Sequence, residues 1–206
     1  MSRQKRIGIY SGTFNPVHAG HIGFALQALQ SAKLDIVYFM PERRPRHKQG
    51  VEHFGHRVAM LKAAVRPHPK LQVLETDDVS FTTQRTLPRL QKRFDGAQLV
   101  LLVGSDVVPH MASWPRIERL LLQTELVIGL RKDTPDKEAL TSIMDTWLVK
   151  PTTVYIDSQA PDVSSGRIRE ALRAGRYVKG LLRSVARYSD RHWLYVSLSR
   201  SLLDKA

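Results

Sequence analysis

No cysteine occurs in the 206 residues, which excludes a disulfide framework and a thiolate metal site. No apolar run approaches the ~20 residues needed to cross a bilayer, so no membrane partner is expected. The basic start, Met1 to Arg6, lacks the apolar stretch and cleavage site of a secretory signal. A cytoplasmic protein fits these absences best. Acidic residues are also scarce, 19 against 32 lysines and arginines, for a net charge of +13. Such a surplus attracts anions, either nucleic acid or a substrate with several phosphates. The basic residues recur along the whole chain, with a local concentration at Arg43, Arg44, Arg46 and Lys48 that a solvated loop also explains. No basic motif interleaved with aromatics is present, so nucleic acid is the less favoured partner.

What is present is a repeated alternation. Short apolar runs at Ile7–Tyr10, Ile36–Met40, Leu71–Glu75, Gln98–Val103, Glu125–Leu130 and Thr152–Ile156 read as strands. Between them, helical periodicity marks Ile22–Ala32, His56–Val65, Thr83–Phe94, Trp114–Leu122 and Asp136–Leu148. Leu99 to Val103 is apolar continuously rather than alternately, as in a strand covered on both faces. The expected fold is α/β: a Rossmann-like, doubly wound parallel sheet. After Ile156 a loop leads into a small C-terminal helical portion. There Val163 to Arg173 forms one helix, stopped near Gly175, and a second runs from Ser184 to about Val196. We read residues 1–206 as a single domain, of which 157–206 is the C-terminal helical portion.

The stretch Gly12-Thr13-Phe14-Asn15-Pro16-Val17-His18-Ala19-Gly20-His21 joins the first strand to the first helix. A tight Gly/Pro loop at a helix start directs backbone N–H groups and the positive end of the helix dipole at one point, which suits a phosphate. His18 and His21 project from the same place, and an imidazole donates to a phosphate oxygen in either protonation state. No third histidine or carboxylate stands close by in sequence, so a protein-held metal is not expected here.

Gly12-Thr13-Phe14-x-Pro16-x-His18-x-Gly20-His21 resembles the H-x-G-H signature of the nucleotidylyltransferase superfamily. Val163-Ser164-Ser165-Gly166-Arg167-Ile168-Arg169 resembles its second signature, I-S-S-T-x-I-R, with Gly166 where threonine is usual. Alone, Ser164 and Ser165 read equally as an ordinary helix cap. Within the superfamily the chain is most similar to the bacterial nicotinate-nucleotide adenylyltransferases. Pro45-Arg46-His47-Lys48 resembles their P-x-H-K loop, and Gly104-Ser105-Asp106 with Trp114 resembles their G-x-D…W element. Arg131 follows a strand as in their V-x-x-R ending. Ser80-Phe81-Thr82-Thr83-Gln84-Arg85-Thr86-Leu87 resembles S-Y-T-x-D-T-L with one residue added and an arginine in place of the acid.

The resemblance implies transfer of AMP from ATP to nicotinate mononucleotide, with Mg²⁺ bridging the ATP phosphates and no metal held by the protein itself. It implies that His18 and His21 hold the phosphates, helped by Gly12, Thr13 and Phe14, and that Lys48 reaches over the transferring phosphate. Ser164, Ser165 and Arg169 would hold the leaving pyrophosphate end, and Gly104 and Asp106 the adenosine side. Asp106 also stands where a helix cap is wanted. Lys48, Thr82, Thr86, Trp114 and Arg131 would take the mononucleotide, although Trp114 suits core packing equally well. Nicotinamide mononucleotide and a phosphopantetheine-like acceptor are the runners-up; the pantetheine branch usually carries threonine at the His18 position. The sequence leaves the oligomeric state open, a homo-oligomer included.

Overall fold

The computed structural model describes residues 3–45, 48–131, 134–157 and 163–196. Six strands, β1 (Arg6–Gly12), β2 (Ile36–Pro41), β3 (Leu71–Val73), β4 (Gln98–Gly104), β5 (Thr124–Leu130) and β6 (Thr153–Asp157), form one sheet. The helices are α1 (Ala19–Ser31), α2 (Phe54–Val65), α3 (Thr86–Arg93), α4 (Val108–Met111), α5 (Ile117–Gln123), α6 (Lys137–Asp145), α7 (Ser165–Arg173) and α8 (Arg183–Arg191). All strand pairs are parallel, in the order β3-β2-β1-β4-β5-β6. This is the doubly wound arrangement, with the order reversing between β1 and β4.

The continuous apolar character of β4 has a simple cause. Val100 and Leu102 pack on one face of the sheet with Val37, Phe39 and Val127, under α1, α2 and α8. Leu99 and Leu101 pack on the other with Ile7, Ile9 and Leu126, under α3, α5 and α6. Alternate residues therefore face two different cores, and neither face can be polar.

The third strand stops at Val73 rather than Glu75 and the first helix begins at Ala19 rather than Ile22; four further helices also differ from the sequence expectation. The third helix begins at Thr86 rather than Thr83, because Thr82 to Arg85 forms a turn. There the Thr86 hydroxyl accepts the Thr82 N–H at 3.0 Å and the Thr82 hydroxyl accepts the Arg85 N–H at 3.2 Å. The Trp114–Leu122 helix starts only at Ile117, after Arg116 in a left-handed conformation (φ 59°), and the short α4 precedes it. The Asp136–Leu148 helix ends at Asp145, leaving Leu148 87% exposed. The last helix stops at Arg191, because Trp193 and Tyr195 take left-handed backbone angles of 54° and 64°. Trp193 is thereby turned into solvent while Leu194 and Tyr195 turn inward. At the end of α7 the chain follows expectation. Gly175 is left-handed (φ 63°), and the N–H groups of Gly175 and Arg176 return to the Leu172 and Ala171 carbonyls, closing a Schellman turn.

Candidate active site

The reversal between β1 and β4 opens a cavity of about 760 Å³ beyond the carboxyl ends of the strands. Sheets of this kind bind ligands at that place. One end of the cavity is built from the β1–α1 loop. A side chain at Gly12 would crowd the Phe14 ring at 3.1 Å, so the close approach of this loop favours glycine. Phe14, only 2% exposed, is wedged edge-on against Tyr10, Phe39 and the His21 ring. It shapes the loop from below.

His18 caps α1 and His21 lies in its first turn, with ring centroids 3.6 Å apart. The His18 backbone N–H donates to His21 Nδ1 at 3.2 Å. That bond places the His21 proton on Nε2, making its outer nitrogen a donor. His18 Nδ1 is buried and has no hydrogen-bond partner among the described residues. Burial, aided by the nearby charge of Arg131, pulls the His18 pKa down to about 3. Burial, then His18, Arg131 and Lys48, holds His21 well below the usual histidine range. Both imidazoles are therefore neutral donors at physiological pH.

Three further segments converge on this loop. Lys48 Nζ donates to the Thr13 hydroxyl at 2.9 Å. Arg169, from α7, donates to the Asn15 carbonyl at 2.8 Å, and the Ser165 hydroxyl donates to the Pro16 carbonyl at 2.9 Å. Ser164 caps α7, accepting the Arg167 N–H at 3.3 Å. The two signature motifs, distant in sequence, thus form one wall. Arg131, which resemblance allots to the mononucleotide, donates to the Val163 carbonyl at 3.2 Å and acts electrostatically on both histidines. It stands on the histidine side of the cavity.

Two buried residues with no part in the sequence reading of the site hold this wall in place. Arg57, 1% exposed, donates to the carbonyls of Thr13 (2.6 Å), Glu42 (2.7 Å) and Glu52 (3.0 Å). Asn15 accepts the Tyr195 hydroxyl at 2.8 Å and the Glu52 N–H at 3.3 Å on its side-chain oxygen. Arg57 lies in the first turn of α2, in a segment Arg57-Val58-x-Met60-Leu61 that resembles the family's helix after the P-x-H-K loop without revealing these carbonyl partners. Leu194-Tyr195 is similar to the family's terminal segment, but the contact itself depends on the left-handed turns after α8.

At the other end stand Phe81 and Trp114, centroids 6.4 Å apart, with Thr82, Thr83 and Gln84 along the wall. Thr86 is a correction to the expected set. It is fully buried behind this wall and its hydroxyl braces the Thr82 N–H, so it does not line the cavity. Thr83 and Gln84 line the wall instead. Asp106 lines the cavity and does not cap a helix, because α4 is capped by Val107 without a side-chain bond. A side chain at Gly104 would collide with the Asp106 carboxylate. Gly166 also faces the cavity, with the Ser164 hydroxyl 3.7 Å from where a methyl would sit. His47 and Arg46 of the expected P-x-H-K loop lie outside the described residues.

A histidine with a depressed folded pKa makes stability pH-dependent with a definite sign. The unfolded chain protonates near pH 6.5, while folded His18 resists down to about 3. Between those values the unfolded state binds more protons, so stability is lost as pH falls through that window. The expected slope is up to about 1.4 kcal/mol per pH unit for each such histidine. Thermal melts from pH 8 to pH 4.5 read it directly, and His18→Gln is expected to flatten the curve.

A Rossmann-like sheet whose switch-point cavity is capped by two neutral imidazoles and three cations defines a nucleotide-binding α/β protein. Residues 9–171 match the cytidylyltransferase-like family model. Over 94% of the chain it is 32% identical to the full length of a probable nicotinate-nucleotide adenylyltransferase of Bacillus pumilus. It is 30% identical, over the same share, to the nicotinate-nucleotide adenylyltransferase of Bacillus subtilis. The fold matches that of Plasmodium falciparum nicotinic acid mononucleotide adenylyltransferase complexed with NaAD. There the TM-score is 0.78 at 19% identity, covering 93% of this chain and 98% of the other. The chain belongs to the cytidylyltransferase-like family and, within it, to the nicotinate-nucleotide adenylyltransferases.

Proposed function

We infer that this chain is a nicotinate-nucleotide adenylyltransferase acting in the cytoplasm. It transfers the adenylyl group of ATP to nicotinate mononucleotide, giving nicotinate adenine dinucleotide and pyrophosphate. The observation that carries this reading is the single wall formed by His18, His21, Lys48 and Arg169 at one end of the cavity. The mononucleotide phosphate is already an anion, so attack on the α-phosphorus needs no general base. The attacking oxygen forms its bond to phosphorus as the bond to the pyrophosphate oxygen breaks. What the protein supplies is in-line placement and neutralisation of spreading charge.

His18 and His21 donate to the ATP phosphates, with the backbone of Gly12 and Thr13 and the α1 N-terminus beside them. Lys48 leaves Thr13 to reach the transferring phosphate, and Arg169, Ser164 and Ser165 stabilise the leaving pyrophosphate. Arg131 sits close enough to the histidines to serve either phosphate group. Asp106 and Gly104 face the adenosine, with the carboxylate placed for a ribose hydroxyl. Phe81 and Trp114 form the aromatic end for the pyridine ring, with Lys48 and Thr82 between it and the phosphates.

Among the described residues no group of three or more His, Asp or Glu side chains is gathered to hold a metal. Mg²⁺ would arrive on the ATP phosphates, as Mg²⁺ usually keeps its waters and phosphate ligands. When bound it neutralises charge on the phosphates.

ATP labelled at the α-phosphate tests the reaction: the label is expected in the dinucleotide, and label at the γ-phosphate in pyrophosphate. Label in free AMP alone, with no dinucleotide, contradicts the reading. Arg169→Ala is expected to raise the KM for ATP about tenfold or more, the scale of one charge-assisted hydrogen-bond pair. An unchanged ATP KM and rate removes Arg169 from the pyrophosphate site.

A further inference from the structure

The net charge of the chain is unevenly placed. Between Ser165 and Val196 there are eight arginines and lysines against two acids, Glu170 and Asp190. Six of the thirteen excess positive charges therefore reside in 32 residues. On α8 the placement is regular. Arg183, Arg187 and Arg191 recur every fourth residue, so they fall within an arc of about 80° and rise about 6 Å apart. Val185 and Ser189, the buried residues of the same helix, lie about 180° away. All three arginines are exposed, and none forms an ion pair among the described residues. Asp190, the one acid of the helix, lies at the edge of this stripe and pairs with none of them.

The second observation concerns aromatics. Five large hydrophobic side chains are exposed among the described residues, and the two aromatic ones, Tyr177 and Trp193, both lie in this basic portion. Tyr177, 75% exposed, follows Arg176 and precedes Lys179; Trp193, 57% exposed, follows Arg191 and His192. The sequence alone shows no aromatic-interleaved basic motif, because Trp193 reads as part of the apolar face of a helix. The left-handed angles at Trp193 and Tyr195 undo that reading and leave the indole exposed in the turn that directly follows Arg191, the last residue of α8.

We propose that the outer face of α8, with Trp193 and the Tyr177 turn, binds single-stranded nucleic acid. The stripe tracks the phosphate backbone, and the two rings stack on unpaired bases. A membrane surface fits less well. The apolar side of α8 is already committed, with Val185 fully buried in the core, leaving no apolar face to enter a bilayer. None of these residues lines the catalytic cavity, so the two functions are separable.

The test uses the full chain and a fluorescently labelled oligouridine of about 12 nucleotides, within the usual span of such sites. Binding is expected to weaken steeply with salt. R183Q/R187Q/R191Q is expected to reduce the slope of log K against log salt by about 2, at about 0.7 per lost phosphate contact on a single strand. Trp193→Ala is expected to weaken binding about tenfold while leaving that slope unchanged, the signature of lost stacking rather than lost charge. Adenylyl transfer is expected to be normal in all these variants. Absence of saturable binding at 50 mM salt overturns the proposal, as does a triple variant with unchanged affinity and slope. Binding to anionic vesicles but not to the oligonucleotide overturns it too.

Discussion

Replacing His18 or His21 by alanine is expected to lower turnover by about two orders of magnitude or more, the cost of one preorganised charge-stabilising donor. The size follows from the state of the imidazoles. Both are buried and neutral, their tilted rings lie 3.6 Å apart between centroids, and the His18 N–H fixes the His21 tautomer. They thus present N–H donors that need no reorganisation as charge builds on the transferring group. No proton has to be taken from the nucleophile, so the loss falls chiefly on kcat and leaves no new dependence on a general base. His18→Ala is the cleaner experiment, because the His21 ring also accepts the His18 N–H. Steady-state kinetics with both substrates saturating checks it, and near-normal turnover in either variant means the phosphates bind elsewhere.

The second large effect concerns Arg57, which never touches the cavity. Arg57→Met keeps the length of the side chain and removes the donors to the Thr13, Glu42 and Glu52 carbonyls. Hydrogen bonds donated by a charged group are worth about 1.5–3 kcal/mol each, less where, as at Glu42 and Glu52, the bond is only part-buried. Losing three therefore costs about 3 kcal/mol or more, which for a chain of this size lowers Tm by about 6–12 °C. Turnover is expected to fall as well, since Thr13 anchors Lys48 and lies in the loop proposed to hold the phosphates. Arg57→Lys is expected to rescue little, because an ammonium cannot reproduce the planar fork that spans three carbonyls. Differential scanning fluorimetry reads the stability change; a Tm within about 2 °C of the parent would show that the clamp is dispensable.

Residues whose role is set by local chemistry were the legible ones. The apolar runs placed every strand, because a strand buried on both faces cannot hide its composition. The Gly/Pro loop before His18 and the Ser164–Arg169 stretch marked the two segments that the fold brings into one wall of the cavity, because short spacing and residue type carry that information. Thr86 was expected in the cavity, but Thr82 to Arg85 forms a turn, and the buried Thr86 hydroxyl braces the Thr82 N–H behind the wall. Arg57 and Tyr195 could not be read from spacing. Their partners are backbone carbonyls and an amide that only the folded chain brings near them. Trp193 illustrates the same limit, since two left-handed residues in the turn after α8 reverse an apolar pattern.

The most direct measurement of the central claim is pyrophosphate release from ATP and Mg²⁺ with nicotinate mononucleotide, nicotinamide mononucleotide and phosphopantetheine offered separately. Release with the nicotinate acceptor at least about tenfold above the others, and abolished in His18→Ala, is the expected result. Equal release with all three acceptors, or none with any, would contradict the assignment of the Phe81–Trp114 end of the cavity to the nicotinate nucleotide.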